Sequence, residues 1–526
     1  MLIAAGAALG VVGAVGSGGT AAAAGPGGPV FDVRAYGAVG DGVANDTAAF
    51  KAAFTAAAAT KRPATVLIPP GTYLVAAGQR LTQGMTVSAY GAYIRRTANC
   101  GALLKNFVSK PAEGSTPKEG EEPYRKLSGY TGDGDIAVLG GTWDMAGRTY
   151  QTQSDAIGFA HADGILVQDC VIKEVPDAHA VELYSVRRGR IVNCVFEGMY
   201  STSAYRWMKE AVQITSATGE PNLPLDTPEV VTGCVDILVS GCTVRVPEAG
   251  ANGADPVGPF AALCGDHGAG AVAHRGIRVI GNHIEGVLSD GIRAADWEDS
   301  VISGNTIVGA GNYGIRALSF ADRQRTGLVI TGNTIRNTSG EAAVQLSQYP
   351  GAVVGNNSIQ GTKQAGTATN CQGIHLLNSP GAVVSENSLG GIDGDGIGID
   401  GSDGAMITGN RIADCTHDGI AAGSNNLTIR QNSVTGVQPV AGGLYGRYGI
   451  RVYGTATNVS VQGNTVRRAP ADTSPNPAAT AVAIRATAAG TWVTGNDLRG
   501  FGSTTWDSKS TSTVLGENLV DAPPVL

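Results

Sequence analysis

The chain has 526 residues, 43% hydrophobic and only 15% charged, with 77 glycines, which suits a protein with an ample buried core that turns often. A formal charge of −7 gives no general attraction to nucleic acid or anionic lipid, so neither is expected as a partner. Within the folded part no run of about 18 strongly apolar residues is available to cross a membrane.

In chain order, the apolar stretch Leu2 to Gly16 followed by Ala21 to Ala24 has the pattern of a secretory signal peptide over residues 1–24, although it lacks a basic n-region. Export to the extracellular space is the expectation. Phe31 to Gly42 then leads through Asn45 and Asp46 into a predicted helix over 47–59, with Asp46 as N-cap and Phe50 and Phe54 on one face. Thr65 to Ile68, the turn at Pro69 to Gly71 and the following Thr72 and Tyr73 predict strand, turn, strand. Residues 109–126, 220–228 and 247–259 are polar and proline-rich enough to be surface excursions.

From residue 155 onward a phrase recurs in which Asn is followed, two residues later, by Ile, Val or Leu. It begins at Asn193, Asn282, Asn305, Asn333, Asn357, Asn387, Asn410, Asn432, Asn464 and Asn496, with steps from Asn282 of 23, 28, 24, 30, 23, 22, 32 and 32 residues. Short strands repeating in fixed phase without helical periodicity mean a β-solenoid. A second phrase, a small residue then Ile or Val then a variable residue, precedes most of these triplets, as in Gly291-Ile292-Arg293 and Gly314-Ile315-Arg316. Alternation across a strand points Ile292, Ile315, Ile374 and Ile450 into one core column and the variable residues outward. The Asn series is assigned to a structural ladder, because buried turn amides must be satisfied.

The expected fold is therefore all-β, a parallel β-helix of nine to twelve coils, with the 47–59 helix capping a core that a solenoid would otherwise expose at its end. Residues 30–500 form one domain (30–108 the cap and first coils, 155–500 the regular repeats), and 501–526 a tail; a monomer is expected. The eight Cys show no metal-binding spacing. Cys170 and Cys194 fall at matching places in consecutive repeats, about 4.8 Å apart, open equally to a disulfide or a reduced ladder.

The opening FDVRAYGAVGDG, with NDT and VLIPPGTYLV after it, resembles the N-terminus of the pectate-lyase-like superfamily, in particular its rhamnogalacturonase and epimerase-like branch. The repeats resemble that superfamily's right-handed parallel β-helix coils, and the two together span about residues 30 to 500. The resemblance implies the fold and a carbohydrate polymer, without choosing among lyases, hydrolases, epimerases and tailspikes. Cys264 to Gly268 only faintly echoes the polygalacturonase pattern and the Asp-Pro-His motif of mannuronan epimerases is absent, so no catalytic residue carries over.

The outward position, followed coil by coil, gives Glu182, Gln213, a coil around Asp266 and His267, then Arg293, Arg316, Gln345, His375, Gly398, Ala421, Arg451 and Arg485. Substrate contacts are expected from Glu182, Arg206, Gln213, Arg293, Asp296, Arg316 and His375, with Arg293 and Arg316 clamping successive carboxylates of an acidic polysaccharide. The catalytic candidates are Lys209, Glu210, Asp266, His267 and Asp290. The expected reaction is cleavage by β-elimination, in which Lys209, its pKa lowered by neighbouring arginines, or His267 takes the proton α to a uronate carboxylate; hydrolysis is the alternative. In a hydrolysis, two of Glu210, Asp266 and Asp290 form the carboxylate pair. A non-catalytic binding module is the third class. No metal site is expected beyond the oxygen ligands that Glu210 with Asp266 or Asp290 offers to Ca²⁺. Asp163, Asp290, Asp395 and Asp418 precede glycines, and Asp395 and Asp418 are assigned to tight turns; His161, Asp163 and His179 are assigned to the turns or walls of the coils upstream.

Overall fold

A computed structural model describes residues 28–109, 124–217, 231–247, 257–266, 272–320, 323–363, 370–437, 448–468, 482–486, 489–499, 506–508 and 512–520. The leader at 1–24, His267 and most of the three surface excursions lie outside the described residues. The chain winds as a right-handed parallel β-helix whose described residues form three sheets with 19, 16 and 15 strands. Among the described residues every ladder is parallel except the short pairing of Met199 and Tyr200 with Gly258 and Val257. The third sheet's fifteen strands exceed the nine to twelve coils expected. The difference lies upstream of residue 155, where Gln79–Arg80 and Leu104–Lys105 already stand in register with Ile157–Ala160, although they carry neither recurring phrase. Pairing also continues past residue 500, through Trp506–Ser508 and Val514–Leu515.

The recurring phrases have steric causes. In the third sheet Ile292, Ile315, Val344, Ile374, Ile397, Ile420 and Ile450 stack directly, and all are buried. The residue before each sits in a corner closed on two sides. A Cβ on Gly396 would lie 2.5 Å from the carbonyl oxygen of Gly419 on the next coil and 2.5 Å from the Ile412 side chain of the second sheet, so this coil requires Gly, and the residue before each of the others is no larger than Ala, as at Ala343.

The Asn ladder is continuous. Asn333 accepts at Oδ1 from the backbone N–H (3.0 Å) and side-chain amide (2.9 Å) of Asn305, and its own amide donates 2.9 Å to Asn357 Oδ1 and 3.0 Å to the Ile302 carbonyl. The pattern extends to Asn518. The residue ahead of each rung is left-handed, which selects Gly281, Gly304 and Gly332 and, more rarely, Asn356.

Register corrects one assignment. Phe196 pairs with Val244, and Val244 with Ile284, so the rung belongs to Cys194, and Asn193 is the left-handed residue before it. Cys170, Cys194 and Cys242 occupy the rungs upstream of Asn282 as free thiols. Cys242 Sγ donates to the carbonyls of Ser240 and Ile191, both at 3.5 Å, the equivalents of the carbonyls that Asn333 uses.

The helix Thr47–Ala59 buries Phe50 and Phe54 against the first coils, with Phe50 5.4 Å from the Tyr73 ring. Asp46 precedes it without capping it through its side chain. Its carboxylate instead accepts from Val39 N–H at 2.7 Å and Leu74 N–H at 3.4 Å, tying the helix start to the first coils. No described helix is long and apolar enough to cross a membrane.

Candidate functional site

Two outward columns run along the third sheet. The one just after the core column is the stripe anticipated from the sequence: Glu182, Gln213, Gly265, Arg293, Arg316, Gln345, His375, Gly398, Ala421, Arg451 and Arg485 stand in direct register. Its member on the coil after Gln213 is Gly265, not Asp266, because Cys264 is the inward residue there. The second column lies two residues before each core residue, on the far side of the small-residue corner. Along successive coils it reads Asp155, His179, Glu210, Ala262, Asp290 and Tyr313.

The columns converge on one buried ionic cluster. Arg293 donates from Nη1 to Glu210 Oε1 at 2.8 Å, from Nε to Asp290 Oδ2 at 2.6 Å and from Nη2 to Ser289 Oγ at 2.9 Å. With 2% of its side chain exposed, this guanidinium is directed at protein carboxylates and away from solvent. It also fills the space between Glu210 and Asp290 where Ca²⁺ was envisaged, and a like charge at that place repels the ion. On the other side of Glu210 lies His179, with Nε2 3.5 Å from Glu210 Oε2 and Nδ1 3.4 Å from Asp155 Oδ1 and 3.8 Å from Glu182 Oε2. Asp155 Oδ1 also accepts the His179 backbone N–H at 3.1 Å.

Crowding decides the protonation. Burial and the adjacent Asp155 carboxylate push the Glu182 carboxyl well above the usual carboxylate range. Burial also opposes ionisation of Asp155, but the interaction with Glu182, the adjacent His179 imidazole and the His179 backbone N–H together outweigh it and hold its pKa at about 2. For His179 burial favours the neutral ring, and the surrounding Asp155, Glu182 and Glu210 prevail, holding it well above the normal imidazole value. Asp155 is the one of these four with an appreciable opening to solvent, 22% against 8% or less for His179, Glu182 and Glu210.

The rim comes from the short 3₁₀ turn Arg206–Met208, which begins three residues after Ser203 and is joined through Lys209 to the strand Glu210–Thr215. It presents Tyr205 and Trp207, 65% and 46% exposed. The Arg293 guanidinium lies 5.9 Å from the Trp207 ring centre, so the aromatic rim touches the ionic cluster. Arg206 packs over Gly258, where a Cβ would come within 2.4 Å of its Nη2. Lys209 is half-buried at the end of the turn, its carbonyl held by Ala261 N–H at 2.7 Å.

The other expected site residues divide. Gln213 is half-buried beside the cluster, and Asp266 is buried near enough to Arg293 to favour its charge. Arg316 stacks 4.9 Å from the Tyr313 ring centre one coil further on. His375 pairs with Asp400 at 3.0 Å, three coils beyond Arg293. Asp296 is turned away from the cluster: it is buried, accepts from Ser319 Oγ at 2.8 Å and Arg325 Nε at 3.1 Å, and serves the neighbouring corner. Asp395 and Asp418 accept backbone N–H groups of the following coil, from Asp418 and Tyr448, both at 2.9 Å. His161 is buried with Nδ1 2.8 Å from the Gly129 carbonyl, and Asp163 pairs with Arg187 and Arg188.

Sequence reasoning missed Asp155 and the Tyr205–Trp207 platform, and gave His179 a wall role. A signal for Asp155 and His179 exists in Asp155-Ala156-Ile157, His179-Ala180-Val181 and Glu210-Ala211-Val212, a polar residue before the Ala-aliphatic pair on three successive coils.

Residues 267–372 and 322–466 match the family model described as right handed beta helix region, and residues 30–103 match the rhamnogalacturonase A/epimerase, pectate lyase-like model. No curated protein matches the chain in sequence. The crystal structure of PfbA, a surface adhesin of Streptococcus pneumoniae, is similar at 17% identity and a TM-score of 0.56, over 82% of this chain and 91% of that one. A second structure of that surface protein is similar at 15% identity and a TM-score of 0.50, over 84% of this chain and all of the other. At such identities the likeness is one of fold.

Proposed function

We propose that this chain, a right-handed parallel β-helix protein with a rhamnogalacturonase and epimerase-like N-terminal segment, is exported and binds a carbohydrate polymer along its third sheet, hydrolysing it at the Asp155–Glu210 centre. The observation that carries this reading is the exposed Tyr205–Trp207 platform set against the buried acidic cluster that Asp155, Glu182 and Glu210 form around His179. Flat aromatic faces are suited to the apolar faces of sugar rings, and acid–base cleavage of a glycosidic bond uses carboxyls that flank the bond, one of them kept protonated by its surroundings.

Hydrolysis is favoured over a β-elimination that relies on Arg293 as its carboxylate-binding cation. Elimination needs a cation free to neutralise the uronate carboxylate, and Arg293 is already neutralised by Glu210 and Asp290. The half-buried Arg316, one coil along, remains as the group that would receive an acidic sugar. A second reading, binding without cleavage, is favoured by the burial of most of the cluster and is in keeping with the adhesin named in the two similar structures.

The deciding experiment incubates the protein with a panel of acidic and neutral polysaccharides, following new reducing ends and the ultraviolet absorbance of unsaturated uronates together. Reducing ends without absorbance are expected. Absorbance would replace hydrolysis by elimination with Lys209 as base, and retention on a polymer column with neither signal would leave a binding module.

A further inference from the structure

We propose that Asp155, His179 and Glu182 form a binding site for a divalent cation of the zinc class, with Glu210 orienting the imidazole from behind. Among the described residues these are the one group of three His, Cys, Asp or Glu side chains whose ligand atoms gather within 4.8 Å of one another. An acidic cluster alone would not make a site. The independent observation is His179: its ring is buried, both nitrogens are shielded from solvent, and neither makes a hydrogen bond.

The separations suit an ion better than a direct bond. His179 Nδ1 stands 3.4 Å from Asp155 Oδ1 and 3.8 Å from Glu182 Oε2, both beyond good hydrogen-bonding distance. Two ligands each about 2.1 Å from a tetrahedral ion lie about 3.4 Å apart, so an ion among these atoms needs little rearrangement. One imidazole with two carboxylates is a zinc-type donor set, since calcium and magnesium favour all-oxygen shells.

The surroundings also suit a metal-bound histidine. Such an imidazole characteristically turns its other nitrogen to a carboxylate, and His179 Nε2 faces Glu210 at 3.5 Å, itself anchored by Arg293 at 2.8 Å. The His179 backbone N–H fixes the Asp155 carboxylate at 3.1 Å. Three protein ligands, with Asp155 open to solvent, would leave a coordination position for water or a sugar oxygen. The inference shares its centre with the proposed function, with Glu182 giving up its proton when the ion binds, but it is tested without any polymer, so the two fail separately.

The full chain is stripped with a chelator, and Zn²⁺ is titrated in by calorimetry with Ca²⁺ and Mn²⁺ as comparisons; metal content is then measured after gel filtration. One equivalent of Zn²⁺ per chain is expected, bound at least 100-fold more tightly than Ca²⁺. Asp155→Asn, at the solvent side, should weaken binding at least 100-fold while leaving the circular dichroism of the stripped protein unchanged. Glu210→Gln should weaken it between 10- and 100-fold, the usual effect of losing an outer partner. The proposal is overturned by an absence of saturable Zn²⁺ binding to the wild type, by a preference for Ca²⁺, or by Zn²⁺ binding that both variants leave intact, which would place the ion on other groups such as the free thiols.

Discussion

Single side chains carry the register. Ile315 stacks between Ile292 and Val344 with no solvent exposure, so Ile315→Asp buries an unpaired charge and should lower stability by several kcal/mol, roughly 4, in chemical denaturation. Wild-type-like melting of that variant would mean that the inward and outward faces are exchanged. A second residue sets acid sensitivity. His274 is buried, accepts the Cys234 N–H at Nδ1 (3.0 Å), and is held at a pKa of about 4, by burial first and Arg325 second. The unfolded chain takes up that proton near pH 6.5, so between about 6.5 and 4 the unfolded state binds more protons and stability falls as pH falls. The window is worth roughly 3 kcal/mol. His274→Asn, whose amide oxygen can take the place of Nδ1, should flatten this part of the stability–pH curve; an unchanged slope would assign the effect to other groups. His274 shows why some residues stay silent in a sequence: nothing adjacent to it announces the Cys234 amide, which lies 40 residues away and one coil over.

At the scale of elements, the rungs are interchangeable only within their hydrogen-bonding role. Asn357→Ala leaves the Asn333 N–H and the Ile330 carbonyl without their buried partners, previously at 3.0 and 3.1 Å. The cost should be about 3 kcal/mol, since each orphaned buried group costs roughly 1–3. Asn357→Cys should cost less, because the thiols of the upstream rungs already reach the equivalent carbonyls; equal destabilisation by Ala and Cys would show that the thiols add nothing. The strand phrases were legible in the sequence because each answers to one short-range demand, a closed corner or a left-handed turn. Where Cys replaces Asn the phrase lost its marker, and Asn193 took the rung by one residue's error. The first coils were illegible for a similar reason: Gln79 and Leu104 pair in register but sit in no recurring phrase.

For the whole molecule, function is expected to be confined to a few coils. Ionisable groups crowd both outward columns from Asp155 to Arg316, whereas Gly398 and Ala421 leave one column bare further along. Trp207→Ala should therefore weaken polymer binding about 10-fold or more in affinity electrophoresis with little change in melting temperature. Asp418→Ala, five coils past the Arg293 end of the cluster, should leave binding and turnover unchanged, and matching losses in the two variants would contradict a localised centre. The position of this centre was only partly legible. Glu210, Asp290 and Arg293 were found through their neighbours in sequence, but their mutual pairing removes Arg293 from the role its chemistry suggested. Asp155 belongs to the same column through a register that only the coil lengths define.

The Asn ladder gives the rod a direction. Every side-chain amide from Asn282 to Asn496 donates toward the following coil and accepts from the preceding one, so the amide dipoles lie head to tail along the axis and each bond polarises the next. The ladder is thus a head-to-tail array of dipoles with unlike ends: its oxygen end abuts the thiol rungs at Cys242, whose backbone N–H meets Asn282 Oδ1 at 2.9 Å, and its N–H end lies at Asn518. Inverting one amide would set like poles against each other on both sides, so the ladder proofreads the orientation of every rung it contains.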